Sequence, residues 1–284
     1  MRLWSSLGGL GMCAALLLPA GAAFAEDDPP EDQQVYPVVY TQRPLTLSQM
    51  TLELNAGMDV TRLIKLDPKM ATRDLETRIS IDAGAGFGIT RNLEVRASLA
   101  ALAIRPKVGY GNPSIGATYR FLNSGLEMGG RLTVTLVTSP DTIVAVDKIG
   151  GILKPSVPLL FHFGKSARLD FEAGLPITIQ KGKPAMVGID APLAFSFNFV
   201  DAFHLGLRSS LYINDFKLAS RNITIPLGAF AGISLGSESP FLEIDPFFMW
   251  PQFAQPGAAD PKVQKKINID VYTVGGVVRV FLFM

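Results

Sequence analysis

The residues best suited to metal binding or acid–base chemistry are the two histidines, His162 and His204. A metal site needs three or four ligands that converge, whereas these are two isolated histidines among residues of mixed charge. Each falls on the polar side of a stretch in which polar and apolar residues alternate. We therefore expect both to be hydrogen-bonding residues, and we predict no metal and no other cofactor.

Two glycine-containing motifs could suggest phosphate binding. Residues 84–88 are rich in glycine, but no helical pattern follows them, and a phosphate loop requires a helix at that point. Gly164-Lys165-Ser166 lies between two strand-like segments and is typical of a hairpin turn. Neither motif predicts an enzyme.

The start of the chain indicates export. An arginine precedes an apolar stretch at residues 7–18, and small residues favour cleavage after Ala25. Residues 1–25 are therefore predicted to be a signal peptide. The only cysteine, Cys13, lies within it, so the mature chain is predicted to contain no disulfide. Residues 26–46 are acidic and proline-rich without a regular period, and we expect an extended periplasmic leader that is mostly solvated.

Charge and hydropathy narrow the class of protein. The chain has 26 basic and 25 acidic residues, which argues against a nucleic-acid-binding protein. Although 48% of its residues are hydrophobic, no apolar run beyond the signal peptide is long enough for a spanning helix. The apolar residues must form a large soluble core or occupy alternate positions of strands.

The hydrophobic pattern favours strands. In residues 52–60 every even position is apolar and almost every odd position is polar or small, over about the length of a tilted membrane-crossing strand. Twelve segments share this pattern: 52–60, 75–83, 93–99, 113–122, 126–137, 151–163, 167–179, 186–199, 203–213, 222–235, 240–250 and 267–284.

The connections between these segments alternate in length. The short ones are 90–92, 123–125, 164–166, 200–202 and 236–239, and the longer ones are 64–73, 103–112, 138–150, 180–185, 214–221 and 251–266. Bacterial outer-membrane barrels have short periplasmic turns and longer outer loops, and a sheet in hydrocarbon must close to satisfy its backbone. We predict an all-β fold over residues 47–284, a transmembrane antiparallel up-and-down β-barrel of about twelve strands, with ten as the alternative count. We expect this barrel in the outer membrane of a Gram-negative bacterium, with both termini in the periplasm.

The polar faces of the strands are predicted to line the lumen. The candidate lining residues are Glu53, Glu76, Arg78, Asp82, Glu94, Arg96, Arg120, Glu127, Arg131, Arg168, Asp170, Glu172, Arg208, Glu243 and Asp245. Their charges nearly balance, so we expect little selection by charge, and pairs across the lumen could occlude it. A soluble β-sandwich is the alternative, but these strands exceed the ~5–6 residues usual in soluble sheets, and charges do not interrupt their apolar faces.

The last strand carries two further predictions. Its apolar end, residues 277–284, resembles the signal that the barrel-assembly machinery recognises. Arg279 is predicted to face the lumen, because arginine at the lipid midplane costs roughly 2–4 kcal/mol. Asn268 and Asp270 share the parity of apolar residues later in the strand, which predicts a bulge at Gly275-Gly276.

Several turn–strand pieces point to a family. Residues 87–95, Phe-Gly-Ile-Thr-Arg-Asn-Leu-Glu-Val, resemble the repeated aromatic-Gly-Leu-Thr-Asp-Arg-Leu-Glu-Val turn of barrels grouped with the aromatic-degradation (meta-pathway phenol) transporters. Residues 43–47 and 171–176 also resemble that group. These motifs encode hairpins rather than a substrate site. The resemblance implies an outer-membrane channel for small apolar or aromatic compounds.

The sequence therefore predicts a monomeric passive channel for small solutes, surrounded by outer-membrane lipid. The first alternative is a plugged structural barrel without transport, whose leader or loops bind a partner. The second is a lipid-hydrolysing barrel, but that chemistry needs a serine and a histidine on the lipid-facing side, and both histidines are predicted to face inward. The aromatic stretch 247–253 is interpreted as a membrane-interface girdle, with binding of apolar solutes as the alternative.

Overall fold

A computed structural model describes residues 36–66, 73–105, 109–136, 149–180, 184–217, 223–255 and 267–284. The predicted signal peptide, with Cys13, lies outside these residues. Within the described ranges, no helix is both long and apolar enough to cross a membrane.

Twelve antiparallel strands form one closed sheet. They are β1 Thr51–Leu66, β2 Arg73–Gly88, β3 Leu93–Arg105, β4 Ser114–Asn123, β5 Leu126–Leu136, β6 Ile149–Phe163, β7 Ala167–Gly174 continued by Ile177–Gln180, β8 Met186–Val187 continued by Ile189–Val200, β9 Phe203–Ile213, β10 Ile223–Gly236, β11 Pro240–Ala254 and β12 Tyr272–Phe283. Each strand pairs with the next. β12 pairs back to β1, from Phe283 opposite Thr51 to Tyr272 opposite Arg62. The predicted twelve-stranded barrel is confirmed, and the alternative count of ten is wrong.

Short and long connections occupy opposite ends of the barrel. Turns of two to four residues join β2 to β3, β4 to β5, β6 to β7, β8 to β9 and β10 to β11. We call this end, where β1 begins and β12 finishes, the turn end, and the opposite end the loop end. The predicted alternation in connection length is confirmed.

The two faces of the sheet differ in polarity. Large apolar side chains such as Leu132, Phe195 and Leu207 are exposed on the outer face, whereas polar residues such as Glu53 and Ser196 are buried on the inner face. Successive side chains of a strand point to opposite faces, so the two sets alternate along the chain. An apolar exterior around a polar interior is the reverse of a soluble sandwich, and that alternative is wrong.

The predicted bulge in β12 is wrong. Gly275 and Gly276 pair in regular register with Asp59 and Met58 of β1. The strand begins only at Tyr272, so the polar residues at positions 268 and 270 precede it and impose no phase conflict. The apparent conflict arose because the alternating pattern was extended beyond the start of the strand.

Residues 36–48, which we call the inner segment, fold into the barrel at the turn end. A 3₁₀ turn at Tyr40–Gln42 is the only regular element described in this segment. Tyr36, Val38, Thr41 and Arg43 are buried. The expectation of a mostly solvated leader is therefore wrong for its described part, because its polar groups find partners on the barrel wall.

Candidate functional site in the barrel interior

Thr41 connects the inner segment to two strands and the turn between β6 and β7. Its amide donates to Oδ1 of Asn198 at 3.0 Å, and its hydroxyl donates to the carbonyl of Lys165 at 2.7 Å. Its own carbonyl lies 2.8 Å from Nδ1 of His162. These groups belong to β8, the β6–β7 turn and β6, so the segment is held against this side of the interior.

Carboxylates hold the opposite side of the inner segment. The amide of Leu45 donates to Glu127 and that of Leu47 donates to Glu94, each at 2.8 Å. The hydroxyl of Thr46 donates to the carbonyl of Arg91 at 2.8 Å. Because a buried backbone donor without a partner is costly, these bonds explain why an irregular segment is stable inside a barrel.

Arg43 is the most heavily bonded residue of the inner segment. Its guanidinium forms a buried ion pair with Glu243 of β11 and donates to Oγ of Ser234 of β10 at 2.9 Å. It also donates to the carbonyl of Pro37 at 3.0 Å. The guanidinium carbon lies 5.4 Å from the ring centre of Phe281 of β12. Arg43 thus joins the segment to three successive strands.

Tyr36 seats the start of the inner segment against β12. Its ring is 5.5 Å from that of Phe281 and 5.4 Å from the guanidinium carbon of Arg43. Burial raises the pKa of the Tyr36 phenol to about 12, because the charged phenolate would lose its hydration. The buried position beside Phe281 therefore favours the neutral phenol.

The two histidines have different environments. His162 lies 3.0 Å from Glu127 and also contacts Thr41, as expected of a hydrogen-bonding residue. The fully buried ring of His204 instead stacks on Tyr40 at 4.0 Å, 3.5 Å from Asp245. Neither of its nitrogens has a hydrogen-bond partner among the described residues, so that prediction is wrong for His204. The described chain contains no group of three or more residues able to hold a metal.

One charge network lies at the junction of the first and last strands. Arg96 contacts Glu53 at 3.0 Å and Glu94 at 2.6 Å. Arg279 contacts Glu243 at 2.6 Å, lies 3.8 Å from Glu53 and pairs with Asp245. Arg279 therefore faces the interior, as predicted, and neutralises carboxylates from both sides of the β12–β1 closure.

A second network spans β5 to β8. Glu172 pairs with Arg131 and lies 3.1 Å from Nζ of Lys154. Lys154 also pairs with Asp190, and Arg168 pairs with Asp170. Each carboxylate of this network therefore has a cationic partner, and opposite charges cancel within a few ångströms.

The predicted lining residues with described side chains lie on the inner face. Glu53, Glu94, Arg120, Glu127, Arg168, Glu172, Glu243 and Asp245 are buried, and Arg78, Asp82, Arg96, Arg131, Asp170 and Arg208 are partly buried. Arg120 and Glu127 form an ion pair at 3.0 Å. The side chain of Glu76 lies outside the described residues. Whether these residues line a conducting lumen stays a prediction.

Sequence reasoning missed three charged interior residues. Lys154 and Asp190 share the parity of polar residues in their own strands, so the alternation itself could have identified them. Arg43 precedes the first strand and has no periodic signal. It lies in a proline-rich stretch and begins the family-like piece 43–47, and neither feature predicts burial.

A cavity of about 440 Å³ lies between the inner segment and the wall formed by β5 to β11. Its apolar lining includes Leu45, Pro158, Pro192, Pro226 and Met249. Its polar lining includes Arg131, Asp170, Glu172, Arg208, Ser210 and Tyr212. A volume of this size is typical of small-molecule sites.

The aromatic stretch 247–253 divides between the two faces. Phe248 lies edge-on to Trp250 at 4.6 Å and stacks on Tyr272 at 6.0 Å, with outward parity. These rings face outward, and their role as an interface girdle stays a prediction. Phe247 has inward parity and lies 4.3 Å from the guanidinium carbon of Arg208. Met249 of the same stretch lines the cavity, so the inward-facing part of the stretch lies beside the cavity.

Comparison with one solved outer-membrane channel supports the fold. An outer membrane channel from Pseudomonas putida F1 superposes with a TM-score of 0.57 at 10% identity, over 90% of this chain and all of that one. OmpF from Salmonella typhi, at 6% identity, has a TM-score of 0.39 over 82% of this chain and 97% of that one. The channel DcaP of Acinetobacter baumannii, also at 6% identity, has a TM-score of 0.38 over 82% and 96%. At such identities the likeness concerns the fold alone.

No protein-family model matches the sequence, and no curated protein matches it. The resemblance to the meta-pathway phenol transporters therefore stays a prediction.

Proposed function

We propose that this chain is a passive channel of the bacterial outer membrane for small solutes, including apolar or aromatic ones. The observation that carries the proposal is the cavity of about 440 Å³, which side chains leave unfilled inside a closed barrel. Its mixed lining suits solutes with an apolar body. The paired charges of the interior give no strong preference for ions of one sign.

The outer surface of the barrel supports a location in the membrane. The apolar outer face suits hydrocarbon, and the girdle around Trp250 suits the headgroup region. The short turns and both chain termini face the periplasm, the longer loops face outward, and the apolar β12 is recognised by the barrel-assembly machinery. The barrel acts as a monomer.

The test measures permeation directly. The purified full-length mature protein is inserted into planar bilayers and into liposomes, beside a variant that lacks residues 36–46. Faster migration of unheated samples on gels verifies that each barrel is closed. We expect discrete conductance and solute-dependent swelling from the mature protein, with a larger conductance in the deletion variant because the inner segment obstructs the turn end.

Two results would contradict the channel. Silence of both proteins in both assays would favour the structural barrel without transport. Conductance only in the deletion variant would mean that the inner segment is a permanent plug.

A further inference from the structure

We propose that the interior cavity binds a small organic carboxylate with an apolar or aromatic body, and that Arg208 holds the carboxylate. This inference names a solute class for the proposed channel. It rests on the proposed function in one respect only, because the channel is the route by which the solute reaches the cavity. Binding itself can be measured without transport.

The first relevant feature of the cavity is the charge on its wall. Three carboxylates of this region, Glu172, Asp170 and Asp190, have cationic partners in Arg131, Lys154 and Arg168. Arg208 is a fourth cation, and it forms no ion pair with any described residue. Around the cavity, the four cations therefore outnumber the three carboxylates by one, and Arg208 is the cation that has no partner among the described residues.

The second relevant feature is the geometry of Arg208. Its guanidinium carbon lies 4.3 Å from the ring centre of Phe247, which covers one face of the planar group. Its Nε is buried and has no hydrogen-bond partner among the described residues. A guanidinium binds carboxylates through two parallel N–H donors in its own plane, so stacking orients the group and leaves its edge available.

The third relevant feature is the set of uncharged residues that line the cavity. Three prolines from β6, β8 and β10 present rigid apolar surface, and Met249 supplies a side chain that adapts to irregular shapes. Ser210 and Tyr212 line the same cavity and offer hydroxyl groups. The other charged groups that line this cavity are paired with each other or with neighbours, and most of its exposed wall is apolar. A site in which one cation has no partner among the described residues favours a monocarboxylate with a compact apolar body over an ion or a sugar.

The test uses three probes that differ chiefly in charge: benzoate, benzyl alcohol and benzylamine. Their binding to the folded protein in detergent is measured by calorimetry. We expect benzoate to bind about tenfold or more tightly than benzyl alcohol, because a hydrogen bond between charged groups is stronger than one to a neutral hydroxyl. Benzylamine should bind most weakly, because Arg208 repels it.

The chain offers a matched control for the arginine. Arg62 of β1 also lies over an aromatic ring, 5.9 Å from the centre of Tyr272, but with outward parity. Arg208→Gln should weaken benzoate binding about tenfold and leave benzyl alcohol unchanged, whereas Arg62→Gln should change neither. Arg208→Lys keeps the charge and loses the paired donors, so its affinity for benzoate should be intermediate.

The outcomes separate this inference from the channel. Equal affinity of the wild-type protein for benzoate and benzyl alcohol would overturn the carboxylate site, whether or not Arg208→Gln folds. Unchanged benzoate binding in a folded Arg208→Gln would also overturn it. Benzoate binding without any swelling or conductance would overturn the channel but not the carboxylate site. Permeation without preferential binding of benzoate would overturn the carboxylate site but not the channel.

Discussion

Arg43 forms a buried ion pair with Glu243, 200 residues further along the chain. Glu243 also pairs with Arg279 and accepts a hydrogen bond from Ser234 at 2.9 Å. One carboxylate therefore joins the inner segment to β10, β11 and β12. The relationship is asymmetric: Glu243 keeps a cationic partner when Arg43 is removed, whereas Arg43 loses its only ion pair among the described residues when Glu243 is removed.

Arg43→Gln should loosen the inner segment without unfolding the barrel. The loss of a charge-assisted hydrogen bond costs roughly 1.5–3 kcal/mol, and Glu243 remains neutralised by Arg279. A cysteine at the buried position Val38 reports the opening, because the predicted mature chain has no other cysteine. Maleimide labelling of this cysteine should accelerate about ten- to hundredfold. Arg62→Gln on the outer face is the control, and equal acceleration there would refute the anchoring role.

Glu243→Gln should be more damaging than Arg43→Gln. It leaves the buried Arg43 guanidinium without a counter-ion, and breaking a buried pair in this way costs about 3–5 kcal/mol. Guanidinium-chloride unfolding in detergent should show a lower midpoint for Glu243→Gln than for Arg43→Gln. The reverse order would mean that Arg43, not Glu243, is the centre of this network.

The Tyr36 phenol should ionise near pH 12 in the folded protein. Because burial raises this pKa above the ordinary value of 10.0, the neutral phenol stabilises the folded state fully below pH 10, and that contribution is lost as the pH rises towards 12. The difference in phenolate absorbance between the wild-type protein and Tyr36→Phe isolates this titration. Ionisation of Tyr36 near pH 10 would show that its ring is solvated, and the inner segment would then not be seated against Phe281.

The barrel could be predicted from the sequence because its main determinant is local. Alternation with a period of two and the alternating lengths of connections recur along the chain, and β9 at Phe203–Ile213 was predicted with the bounds that the structure has. The bulge at Gly275-Gly276 failed where polar residues before Tyr272 were assigned to the strand. Parity also placed Arg279 and Glu243 on the inner face, since each lies within a regular strand.

The inner segment could not be predicted in the same way. Its stability depends on partners such as Asn198 and Glu243, which are distant in sequence, and on hydrogen bonds from its backbone, which carry no residue pattern. That Arg208 pairs with no described residue was likewise hidden, because the sequence shows how many charges face inward but not which of them meet. Pairing is a property of register and side-chain reach, and both required the closed barrel.

The outer face gives the sharpest test of membrane insertion. Leu207 and Phe241 are similarly exposed, at 60% and 58%, but Leu207 lies in the middle of β9 and Phe241 is the second residue of β11, at the turn end. Leu207→Arg should destabilise the barrel in liposomes by about 2–4 kcal/mol, and Phe241→Arg by about 0–1 kcal/mol, because the cost of the charge falls towards the interface. Guanidinium-chloride unfolding in liposomes measures both. Equal costs for the two variants would mean that the apolar face of the barrel does not lie across a bilayer.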